Sequence, residues 1–208
     1  MKKLESSLKN MVLVLTGITV ITVGILAFVN ELTKAPIAAA SAKTLSDAVS
    51  QVIEGFDNDP IAEQQTVSSY GTDYIVYPAS KGGEFIGAAV QSSAMGFGGE
   101  LTILIGFDKD GNITDYSILS HSETPGLGDK AGLWFKKGAK GDITGKNPGK
   151  DNLTVSKDGG DIDAITASTI TSRAFLKAVN AAYEVFNGNT ADATSGASQQ
   201  QSGKSVNK

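Results

Sequence analysis

The chain has 208 residues, a formal net charge of -4, a single histidine (His121) and no cysteine. That excludes disulfides, thiolate zinc sites, cysteine-ligated iron–sulfur clusters, a lipid-modified cysteine anchor and any His-rich metal centre. Mild acidity without a lysine- or arginine-rich run argues against nucleic acid as a partner.

The first element is "MVLVLTGITVITVGILAFV", Met11 to Val29, nineteen residues without a charge, Pro, Asn or Gln. As a helix it matches a bilayer core of roughly 30 Å, which predicts a transmembrane helix over 11–30. Lys2, Lys3 and Lys9 precede it. The positive-inside bias then keeps 1–10 in the cytoplasm and puts the rest on the outer face of the membrane. The rival reading is a cleaved signal peptide, because Ala38 to Ala40 offers a small-residue cleavage site. A signal core usually runs only about 7–15 residues, which favours a retained anchor.

Ser41 to Phe56 follows as a short amphipathic helix, with Leu45, Val49, Val52, Ile53 and Phe56 on one face. Strand-like runs come next: Asp73–Ala79, Phe85–Ala94, Glu100–Asp108 and Ile113–Ser122. The last two flank the turn signal "DKDGN" and read as a hairpin. Gly96 to Gly99, "GFGG", leads into that pair, and "ETPGLGDKAGLWFKKGAKG" leaves it, with a short helix around Leu133 to Lys137. A closing helix runs to Phe186 with Phe175, Leu176, Val179, Ala182 and Tyr183 on its apolar side. The fold class is α+β: an antiparallel sheet with flanking helices, forming one domain over 31–186. Residues 187–208 are polar with Val206 as their only large aliphatic residue. They read as a disordered tail.

Three stretches exceed what a scaffold needs. His121 to Gly128, "HSETPGLG", is a Pro/Gly loop at a strand exit, and an ordinary long turn has the same composition. In "GFGG" the glycines permit close approach of backbone to something flat or bulky, although a bulge would also use them. The third stretch opens the closing helix. Five of the seven residues from Thr166 to Ser172 carry hydroxyls: Thr166, Ser168, Thr169, Thr171 and Ser172. One of them serves as an N-cap, and four are left over. Free N–H groups and a partial positive charge at a helix start suit a phosphate, so these hydroxyls point to a phosphate-bearing ligand, bound by hydrogen bonds or as a phosphoester.

"GFGGELTILIGFDKDGNITDYSILSHSETPGLG" followed by "DAITASTITSRAF" resembles the FMN-binding domain of the G subunit of the Rnf electron-transport complex. It is similar also to the C subunit of the sodium-translocating NADH:quinone reductase. The resemblance covers the chain from the anchor to the end of the last helix. In that family FMN is esterified through its phosphate to the threonine of a motif written D-x-x-[ST]-G-A-T-x-[ST]. Asp163, Thr166, Thr169 and Thr171 match its polar positions, Ala167 stands for Gly and Ser168 for Ala.

The resemblance implies covalent FMN on Thr169, with Thr166, Ser168 and Thr171 as hydrogen-bonding neighbours and Asp163 in the recognition motif of a flavin transferase. It implies that Glu123, Thr124, Gly126 and Leu127 lie against the isoalloxazine and ribityl region. It further implies an electron-carrier subunit, not itself a catalyst, among other membrane subunits of an Rnf-type complex. That complex would couple ferredoxin–NAD electron transfer to Na⁺ or H⁺ movement. Two other classes compete. A Ser or Thr hydrolase needs an activating base, and His121 is the only histidine. A non-redox adhesion or scaffold domain leaves the hydroxyl cluster and Gly loop unexplained.

Overall fold

A computed structural model of the chain describes residues 8–69 and 71–194. Lys2 and Lys3, on which the expected orientation largely rests, and 195–208 of the polar tail lie outside the described residues. The chain divides into two units, Met1–Thr44 and Leu45–Lys208.

In the first unit the apolar stretch is helical, and Leu13, Ile18, Val23 and Leu26 are all exposed along it. This helix is long and apolar enough to cross a membrane. The sequence suggests a second, separate helix at Ser41, but a single helix, α1, runs Leu8–Val52 with Pro36 inside it. Proline there removes one N–H bond. Ala38, Ala39, Ala40 and Ala42 beyond it are the strongest helix formers, so the helix continues.

The second unit is built on a five-stranded antiparallel meander in the order β1-β2-β3-β4-β5. The strands are β1 (Gln65–Ser69), β2 (Thr72–Lys81), β3 (Glu84–Met95), β4 (Glu100–Asp108) and β5 (Ile113–Ser120). β1 is the strand that the sequence does not announce. Its residues "QTVSS" hold one apolar side chain, half-buried Val67, so no alternation marks it. β2 and β3 turn through Gly82 and Gly83, both at positive φ (60° and 82°), as a two-residue hairpin of the I′ kind demands.

Both faces of the sheet are covered. Tyr77, Ala79, Ala89 and Leu104 meet Ala48, Val49, Val52 and Ile53 from the end of α1. Gly106 lets that helix end approach, since a Cβ there would overlap the Val52 carbonyl. The Thr114 hydroxyl donates to the same carbonyl and so caps the helix. On the other face Val90, Ile103, Ile105 and Phe107 pack against the closing helix α3 (Thr169–Thr194) through Phe175, Val179, Ala182 and Phe186. That helix continues past Phe186 into the stretch expected to be tail. The short helix α2 (Ala131–Trp134) begins two residues earlier than expected, after a 3-10 turn at Gly128–Lys130.

Three rings fix the start of α3. Phe175 stacks on Phe135 at 4.2 Å with 6° between planes, and meets Tyr116 edge-on at 4.8 Å. The Tyr116 hydroxyl donates to the Ala131 carbonyl at 2.6 Å, and burial pushes its ionisation up, so it remains a neutral donor. The helix start is therefore anchored to β5 and to the residue that follows α2 by buried aromatic surface. Each such side chain contributes about 1.5–3 kcal/mol when fully buried.

Candidate functional site

Strand order brings the two sequence motifs to one end of the sheet. β3 ends and β4 begins there, paired Met95 to Glu100, so Gly96 to Gly99 form the tip of that hairpin. The Gly96 N–H donates to the Gly99 carbonyl at 2.8 Å. Ser120, the last residue of β5, pairs with Thr102, so the loop from His121 to Gly128 starts beside the same tip.

Glu123 is the centre of this end. Its side chain is only 7% exposed although it is a carboxylate. The Phe97 N–H donates to its Oε1 at 2.9 Å, and the Thr171 hydroxyl donates to its Oε2 at 2.9 Å. A Cβ at Gly96 or Gly128 would overlap the carboxylate, and one at Gly98 would overlap the Ser122 carbonyl. Gly96 and Gly98 of "GFGG" are thus required by close approach, but the group approached is Glu123 and its neighbour. An uncompensated buried carboxylate is costly, which makes the two donors part of the fold.

The five hydroxyls at the start of α3 have different duties. Ser172 Oγ accepts the Ile165 N–H at 2.9 Å and donates to the Ser168 carbonyl at 3.0 Å, stapling the entry to the helix. Thr171 is fully buried and committed to Glu123. Ser168 is buried, and its carbonyl accepts the first helical bond, from the Ser172 N–H. Thr169 is half-buried, and its hydroxyl accepts from Lys157 Nζ at 3.3 Å. Thr166 is exposed. Between Thr166 and Ser168 the backbone turns through Ala167 at φ 63°, the single non-glycine residue at positive φ among the described residues. A left-handed residue there lets the chain reverse from the loop into the helix, at a cost of about 1–2 kcal/mol for an alanine.

A cavity of about 380 Å³ lies between these motifs. Phe97, Leu127 and Ile170 supply its apolar lining, and Glu123, Thr124, Ser168, Thr169 and Thr171 its polar lining. Of the residues expected at a ligand, Glu123, Thr124, Leu127, Ser168, Thr169 and Thr171 are brought together here. Thr166 and Gly126 are outside the lining, and a Cβ added at Gly126, where φ is 78°, would point into open space. Its glycine serves the turn. Asp163 is exposed and accepts, through its backbone carbonyl, the Trp134 indole N–H at 2.8 Å. Phe97 and Ile170 escape residue-by-residue reading of the sequence. The exposed Phe97 between glycines is the signal for the first, and Ile170 has none beyond its place next to Thr169.

The lining suits FMN by chemistry. Phe97, Leu127 and Ile170 offer surface for a flat ring system, carboxylate and hydroxyl groups suit a polyol chain, and a half-buried hydroxyl sits at a helix start that favours phosphate. The volume lies within the roughly 300–1,000 Å³ of ordinary ligand sites.

An antiparallel domain with such a cavity, on a chain whose first helix is long and apolar enough to cross a membrane, has the features of a membrane-tethered ligand-binding protein. Sequence comparison specifies the class. The RnfG N-terminal region profile matches residues 1–52, and the FMN-binding domain profile matches residues 96–184. The G subunit of the ion-translocating oxidoreductase complex of Cereibacter sphaeroides is 34% identical over 174 residues, covering 80% of this chain and 78% of the relative. The corresponding G subunit of Vibrio parahaemolyticus is 39% identical over 168 residues, covering 76% and 79%. That of Shewanella amazonensis is 36% identical over 188 residues, covering 85% and 86%. The chain belongs to the RnfG family, the G subunits of ion-translocating oxidoreductase complexes.

Proposed function

We propose that this chain carries FMN as a phosphoester on Thr169 and serves as an electron-transfer subunit of a membrane complex of the Rnf type. The observation that carries this reading is the cavity uniting the Glu123–Leu127 loop with Thr169. Bound FMN supplies electron transfer in one- or two-electron steps. The chain's residues do the rest. Glu123, held by Phe97 and Thr171, offers its carboxylate to donor groups of the ligand. Phe97, Leu127 and Ile170 exclude water from one side of the ring. Thr169 holds the phosphate at the first turn of α3, where unpaired N–H groups favour an anion by about 0.3–1 kcal/mol.

In maturation a Mg²⁺-dependent flavin transferase uses FAD as donor. Thr169 Oγ bonds to the FMN phosphorus, the pyrophosphate P–O bond breaks, AMP leaves and the hydroxyl proton passes to solvent. Asp163 and Thr166, both exposed, are available to the transferase from outside the cavity. In the assembled complex the partners are the other membrane subunits, and the overall reaction couples ferredoxin–NAD electron transfer to Na⁺ or H⁺ movement. The anchor stays in the mature protein with the FMN domain on the outer face of the cytoplasmic membrane. A tether has a physical purpose there, since FMN lost outside could not be replaced from the cytoplasm.

The test is peptide mapping and in-gel flavin fluorescence of full-length protein made with the transferase. Flavin localised to Thr169 itself within its peptide, and absent from Thr169→Ala, supports the reading. Flavin on Thr166 or Ser168, or retained by Thr169→Ala, overturns it.

A further inference from the structure

The 3-10 turn Ser156–Asp158 sits against the first turns of α3, and two adjacent side chains make the contact. Asp158 receives both Arg173 Nε (2.7 Å) and Arg173 Nη2 (2.6 Å), a bidentate pair. Lys157, one residue earlier, donates to Thr169 Oγ1 at 3.3 Å. The turn is held from behind as well. Val155 bridges Ile162, the Ser156 N–H donates to the Ile162 carbonyl at 2.8 Å, and Gly159 closes the turn at φ 84°.

Arg173 is thereby engaged by a carboxylate, whereas the hydrogen-bond partner that the structure gives Lys157 is a neutral hydroxyl. That bond is also longer than the ~2.7–2.9 Å of an ammonium on an anion. Thr169 is the oxygen to which, on the reading above, the phosphate is joined. Esterification replaces a neutral hydroxyl by a phosphodiester with one negative charge spread over two oxygens, within reach of the same ammonium.

We propose that Lys157 is the phosphate-binding cation of this site. It pairs with the phosphodiester oxygens on Thr169 and, while that bond forms, with the phosphoryl oxygens from FAD. This inference rests on Thr169 as the attachment site. The Asp158–Arg173 pair, on this view, is the brace that keeps the lysine over the helix start. Lys157 moves no proton and breaks no bond. Its contribution is to neutralise charge where charge is delivered.

The experiment uses the full-length chain in detergent, with the flavin transferase, FAD and Mg²⁺. Lys157→Gln, Lys157→Glu and Lys157→Arg are compared with wild type and Thr169→Ala. The readouts are the initial rate of flavin incorporation by intact mass and the ³¹P resonance of the loaded protein. Lys157→Gln is expected to slow incorporation roughly tenfold and Lys157→Glu more. Lys157→Arg should restore most of the rate. The phosphodiester resonance should shift in the Gln variant relative to wild type.

Wild-type incorporation at Thr169 with unchanged rates in the Gln and Glu variants overturns this inference alone. Slow incorporation with an unmoved ³¹P resonance also overturns it, because Lys157 would then act in docking the transferase. A lowered melting temperature without rescue by Arg makes the lysine structural, which again overturns it. Flavin mapped away from Thr169 in wild type overturns both this inference and the attachment reading.

Discussion

The Thr171 hydroxyl, fully buried in the first turn of α3, donates at 2.9 Å to a carboxylate oxygen of Glu123, 48 residues earlier in the loop after β5. This bond joins the two motifs that line the cavity. It also settles a carboxylate which, at 7% exposure, water cannot settle.

Thr171→Val removes the donor and leaves that oxygen buried, which should destabilise the domain by about 1–3 kcal/mol. Thr171→Ser keeps the hydroxyl and should cost less. In a double-mutant cycle with Glu123→Gln, measured by urea unfolding, the two positions should couple by at least ~0.5 kcal/mol. Additive effects would show that the bond contributes nothing of its own.

Backbone strain at Ala167 gives a prediction of opposite sign. Its φ of 63° suits glycine, so Ala167→Gly should stabilise by about 0.5–1 kcal/mol and Ala167→Val should destabilise. At Gly126 the same reasoning runs backwards. Nothing lies within 4 Å of a Cβ there, yet φ is 78°, so Gly126→Val is expected to cost stability through the turn and not through a clash. Melting temperatures of the three variants check the signs. A neutral Ala167→Gly would mean that the turn relaxes elsewhere.

Phe175 holds the start of α3 between Phe135 and Tyr116. Phe175→Ala should therefore destabilise by about 3–5 kcal/mol, among the largest effects of any single truncation in the domain. Flavin incorporation should fall with it, because Thr169 lies six residues earlier on the same helix. Unfolding curves and in-gel fluorescence on the same preparations test the link, and a large loss of stability with normal incorporation would break it.

The Asp158–Arg173 pair makes a small pH-dependent contribution. Hydrogen bonds from Arg173 hold the Asp158 carboxyl below its ordinary value of 3.8. A depressed carboxylate pKa contributes stability that is present above the unfolded value and is lost as pH falls through the folded one. The melting-temperature difference between wild type and Asp158→Asn should thus be constant from neutral pH to about 5 and vanish in stronger acid. Both groups are solvent-exposed, so added salt should shrink it. A difference that grows on acidification would contradict the pairing.

The apolar span, four of the five strands and the apolar face of α3 are legible in the sequence, because each depends on local periodicity. So are the loop from His121 to Gly128 and the hydroxyl run, as residue types in excess of need. β1 is not legible, since an edge strand with a single apolar side chain has no alternation to read. Nor is the continuity of α1 through Pro36, where helix formers beyond the proline outweigh one missing N–H. Tertiary structure alone assigns the hydroxyls: Ser172 to the helix entry, Thr171 to Glu123 and Thr169 to Lys157. Five similar side chains in seven positions are equivalent to a local reading. Ser172 closes on its own helix entry, but Thr171 and Thr169 become different only when the loop after β5 and the 3-10 turn reach the same helix end, one offering a carboxylate and the other an ammonium.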